Sequence, residues 1–162
     1  MKAILAKVKE ILENDADIID KFGITPNVEK VKIRPISRIR FIKDSLYPFI
    51  NISPFKRRED SGQIANNKED TPHVLITIGI KSHDVDKVIM GNDNPGLLEL
   101  EELVVNVLEK DANKRLGGLA LHMSPDIEVE YIDNPLESEE TEVKLYCTIL
   151  VSYKVLKGVN PY

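Results

Sequence analysis

A single cysteine, Cys147, stands in a chain of 162 residues, so no intramolecular disulfide framework exists and nothing requires an oxidising compartment. Long apolar runs are missing too. The N-terminal "MKAILAKVKEILENDADIIDKF" places an apolar residue at every third or fourth position with charges between, the pattern of an amphipathic helix and not of a signal peptide. No other segment is long and apolar enough to span a bilayer. These absences predict one soluble domain, made and kept in a cytoplasm, with no membrane partner.

Signatures of chemistry are equally scarce. There is no HExxH pair and no GxSxG elbow, and "RLGGLALHM" has neither the Lys-Ser/Thr of a phosphate loop nor the spacing of a dinucleotide fingerprint. Gly117 and Gly118 read better as a helix exit. His83, Asp84 and Asp86 in "SHDVD" follow a strand-like run, where a metal or an acid/base pair would need further ligands; short polar groups there more often make a turn. Cys147 sits between Leu145 and Ile149 on the apolar side of an alternating run, which reads as a core thiol. The residues require no cofactor and no metal, and an enzyme is the class with least support.

Charge is plentiful but unevenly placed. Residues 30–58 hold Lys30, Lys32, Arg34, Arg38, Arg40, Lys43, Lys56, Arg57 and Arg58 against Asp44 alone, an excess of +8 that leaves −13 for the rest of a chain of net charge −5. Such a split fits nucleic acid, a membrane surface or an acidic face on another copy of the chain, and fits equally a solvated strand face.

Periodicity supplies the architecture. Met1 to Phe22 form a helical stripe with a break near Asp15 and Asp17, capped by Gly23 and stopped by Pro26. "KVKIRPI" is extended with one basic face, and residues 48–53 and 73–81 read as strands of a hairpin joined by a long charged loop, 56–72. A helix capped by Asn94, with Pro95 first, carries Leu97, Leu100, Leu103, Val104, Val107 and Leu108 on one face. "DIEVEYID" and "VKLYCTILVSYKV" then alternate as a second hairpin around an acidic loop, 134–142. The expected fold is α+β over residues 1–162, with a mainly antiparallel sheet of about four strands and two amphipathic helices on one face.

In that order, the N-terminal helix, "YPFINISP", the charged loop, "HVLITIGI", one amphipathic helix and the terminal "TILVSYKV" hairpin resemble the tail terminator (tail completion) proteins of tailed bacteriophages and related contractile particles, over roughly residues 1–155. The resemblance implies a virion protein assembled in a host cytoplasm. It would form a ring, a hexamer in this reading, that caps the tail tube, stops its polymerisation and offers a joining surface to the head connector or neck. Partners would be further copies of the chain, the tail tube protein and the connector, with a sheath as an added partner. Lys56, Arg57, Arg58, Glu59 and Asp60, with Arg38 and Arg40, are the candidate assembly residues. The alternatives are a nucleic-acid-binding module using residues 30–58 and a small metal-dependent hydrolase using His83, Asp84 and Asp86.

Overall fold

The structure, a computed structural model, describes residues 1–60, 68–91, 94–124, 126–133 and 143–157. The N-terminal stripe is two helices, α1 (Lys2–Asn14) and α2 (Ala16–Phe22). Asp15 is the break. Its backbone is extended, and its carboxylate accepts from the N–H groups of Asp17 and Ile18, so one residue ends α1 and caps α2. Burial would raise this carboxyl's pKa, but the Lys110 ammonium at 2.7 Å and the cap N–H groups hold it below the ordinary value. Gly23 closes α2 in the left-handed conformation, as its position after Phe22 predicts.

Among the described residues six strands form one sheet: β1 (Val31–Ile33), β2 (Phe49–Asp60), β3 (Lys68–Ser82), β4 (His122–Met123), β5 (Glu128–Asp133) and β6 (Val143–Lys157). The order is β1-β2-β3-β6, and β4 and β5 divide the far edge of β6 between them. Every pair is antiparallel except β1 with β2. The sheet is therefore mixed and larger than the four strands expected. Three further helices, α3 (Val85–Met90), α4 (Leu97–Glu109) and α5 (Asp111–Lys114), make five among the described residues in place of two. The unforeseen elements are two to six residues long, too short for a periodic signal.

Alternation fixes the two faces of the sheet. Ile52, Ile76 and Ile149 stand side by side on β2, β3 and β6, with Ile50, Ile78 and Cys147 in the parallel row, all buried. Against them pack Val8 and Leu12 of α1, Phe22 of α2, and Leu100, Val104 and Leu108 of α4. Helix α4 begins at Leu97 behind Gly96, and not at Pro95 behind Asn94 as the sequence predicts. The chain folds back so tightly there that a Cβ on Gly96 would collide with the backbone of Met90 and Gly91, and this close approach sets the helix start.

The other face is polar at its centre and aromatic at one end. Asn51, Thr77 and Thr148 are in register and buried; among the described residues the Asn51 amide and the Thr77 hydroxyl have no hydrogen-bond partner. A register slip of one residue would carry these groups into the apolar layer, so the row opposes slippage. Phe49 covers Gly79 beside Tyr47 and Tyr146, whose hydroxyls are 2.8 Å apart. Asp44, in the β1–β2 connection, lies 3.9 Å from Lys81 and 3.5 Å from Lys144, two cations directly opposite each other on β3 and β6. That connection thus runs over the face away from the helices.

Replacing Ile149 by Ala should cost about 2 to 4 kcal/mol, as for a buried large-to-small change. A chemical-denaturation midpoint shift equivalent to less than about 0.5 kcal/mol would put its face in solvent. Adding a methyl group at Gly79 should cost about 1 to 3 kcal/mol by displacing the Phe49 ring. The loss should shrink in the Gly79→Ala, Phe49→Leu double variant, measured the same way.

Candidate assembly surface

Residues 56–60 and 68–72, expected in a loop, are strand. Beyond a bulge between Pro54 and Lys56 the β2–β3 pairing resumes, with Lys56 opposite His73, Arg57 opposite Pro72, Arg58 opposite Thr71, Glu59 opposite Asp70 and Asp60 opposite Glu69. β6 follows, pairing Val155 with Asp70 and Lys157 with Lys68. A row of charged residues reads as loop because such side chains gain little from a half-buried pleat, yet ladder bonds on both sides of β3 hold the extended backbone here. Residues 61–67 and the acidic loop 134–142 lie outside the described residues.

On this projection Lys56 and Arg58 alternate onto one face. Phe55 is exposed, and the Lys56 ammonium stands 5.8 Å from the centre of its ring. Beside them, His73 Nδ1 is 2.6 Å from Ser152 Oγ across the β3–β6 pair. Burial lowers the His73 pKa, as do the charges of Lys56 and Arg58, with Glu128 opposing. No sequence signal joins His73 to Ser152, since 79 residues separate them.

Arg38 and Arg40 occupy a 3-10 turn, Ile36–Phe41, in the β1–β2 connection, an element separate from the hairpin. The basic stretch 30–58 is accordingly not one surface. Phe49 to Ser53 in its middle are buried in the sheet, and the cations fall into a group at β1 and its connection and a group on the β2 extension. A nucleic-acid duplex would not meet them as a single stripe.

Asp84 accepts from the Asp86 N–H and caps α3, while its own N–H donates to Ser82 Oγ. Among the described residues no three His, Cys, Asp or Glu side chains are grouped to hold a metal. Burial pushes the Cys147 thiol up to about 12, far from a reactive thiolate at neutral pH. No described helix is long and apolar enough to cross a membrane.

No protein-family model and no curated protein matches this chain. Among solved structures, a chain in the "Virion of native gene transfer agent (GTA) particle" superposes with a TM-score of 0.51 at 9% identity, and the match covers 94% of each chain. The likeness is one of fold.

The depressed His73 pKa has a definite sign. Below the ordinary value of 6.5 an unfolded chain takes up a proton that the folded ring resists, so stability falls as pH drops through that value towards the folded pKa. Wild-type protein should lose stability on acidification from about pH 6.5, and His73→Gln should lose less over the same window. Identical pH slopes in urea titrations of the two proteins would remove His73 from the linkage.

Proposed function

We propose that this chain is a structural protein of a phage-like particle and, within it, a ring-forming tail terminator. In this role it caps the tail tube, stops its growth and presents a joining surface to the head connector or neck. The observation that carries the reading is the likeness over 94% of both chains to a virion component: the whole domain corresponds, not a shared motif. The order of elements that resembles tail terminators adds the specific role. A catalytic step has no part in it, and binding surfaces supply the function.

The β2–β3 projection is the element that reaches a neighbouring ring. Its strands give a stiff support to Lys56 and Arg58, and charged groups on such a support speed and orient docking more than they add affinity.

Deleting the gene from a particle-producing strain should give overlong or headless tails, scored by electron microscopy. Complementation with Lys56→Glu, Arg57→Glu, Arg58→Glu protein should fail in the same way while the isolated protein keeps its fold by circular dichroism, because exposed charges contribute within about 0.5 kcal/mol. Normal particles from the deletion strain would overturn the reading. Normal particles from the folded triple variant would remove the projection from docking.

A further inference from the structure

The two ends of the sheet are complementary. β1, at one end, has a strand neighbour only in β2, and β5, at the other, only in β6 among the described elements. Residues 29–40 around β1 carry Lys30, Lys32, Arg34, Arg38 and Arg40 against Glu29, whereas residues 126–133 around β5 carry Asp126, Glu128, Glu130 and Asp133 and no cation. Exposed apolar side chains gather at the same two ends: Ile33 (39%) and Ile36 (52%) at β1, Val129 (36%), Tyr131 (52%) and Ile132 (42%) on β5. Free edges with apolar side chains are where another strand adds, unless they are blocked.

Strand direction decides how two such edges meet. β1 runs parallel to β2, and the three steps from β2 to β3, β6 and β5 are each antiparallel, so β5 runs opposite to β1. A second copy set beside the first, with its helices on the same side, brings its β1 antiparallel to the first copy's β5. One register pairs residues 31–34 with 128–131 by chemical kind. With Ile33 opposite Val129, Val31 faces Tyr131 on the helix side, and on the other side Lys32 faces Glu130 and Arg34 faces Glu128. Lys32 already bonds the half-exposed Glu29 at 2.8 Å, an exchangeable surface pair.

We propose that copies of this chain join head to tail by adding β5 of one copy to β1 of the next, with Lys32–Glu130 and Arg34–Glu128 as the register-setting pairs. The partner is a second copy because the two edges complement each other and neither complements itself. Such a contact is heterologous and closes into a ring when its rotation does; in this the inference rests on the ring reading above.

The test is a charge swap on the full chain, followed by sedimentation velocity at low and high salt. Lys32→Glu with Arg34→Glu, and separately Glu128→Lys with Glu130→Lys, should each weaken self-association at least about tenfold, since like charges now face each other. All four substitutions in one chain should restore it, and salt should weaken the wild-type contact. A disulfide-linked ladder should also form in an Ile33→Cys, Val129→Cys variant, where the native Cys147 is buried. Wild-type protein that stays monomeric, reversals that associate normally, a folded fourfold variant that fails to recover, or a cysteine variant without a ladder would each overturn the proposal. Mass spectrometry of purified particles separates this from the functional reading. A chain present in particles whose swap fails leaves the function standing without this contact, and a chain that passes the swap but is absent from particles keeps the contact and loses the function.

Discussion

The antiparallel pairing of β3 with β6 is the constraint on which the rest of the molecule depends. It runs from Lys68–Lys157 to Ser82–Val143, and these two strands supply most of the buried sheet residues that meet the helices. β2 adds to the free side of β3, and β4 and β5 add to the free side of β6. Shifting this pair by one residue would turn Ile76 and Ile149 away from α1 and α4 and bring Thr77 and Thr148 into their place. The register is thus held from both faces, by apolar burial on one and by the cost of burying polar groups on the other.

The same pairing makes the projection. β2, β3 and β6 continue together past the bulge at Pro54, so charged residues that would order poorly alone are held by a sheet anchored in the core. Glu59 stands opposite Asp70 and Asp60 opposite Glu69 in that ladder. The helical layer is tied separately, by the Lys110–Asp15 bond between α4 and the α1–α2 break and by Lys21–Glu99 between α2 and α4.

Exposed apolar residues sit at the sheet ends. Val129 and Tyr131 lie in the same rows as the buried Ile149 and Cys147, yet they are exposed. Tyr131 instead donates to Glu101 of α4 at 3.3 Å; burial raises the Glu101 pKa, and this bond partly offsets it. Apolar residues on an uncovered edge strand are a liability in a monomer and an asset in a ring.

The sequence by itself determined the parts whose signal is local. Alternation marked Val74 to Ile80 and Leu145 to Tyr153, the three-to-four spacing marked α1 and α4, and Asp15 and Gly23 marked helix ends, because side-chain period and capping chemistry depend on residues a few positions apart. Cys147 was legible as a core residue for the same reason. Only the tertiary structure decided that Lys56 to Asp60 lie in a strand, that His73 meets Ser152, that the basic stretch 30–58 divides into two groups, and that Lys32 and Glu130 mark opposite ends of one sheet. Each of these depends on which distant segments pair, and chain closure and shared burial set that pairing across the whole domain, where no local pattern records it.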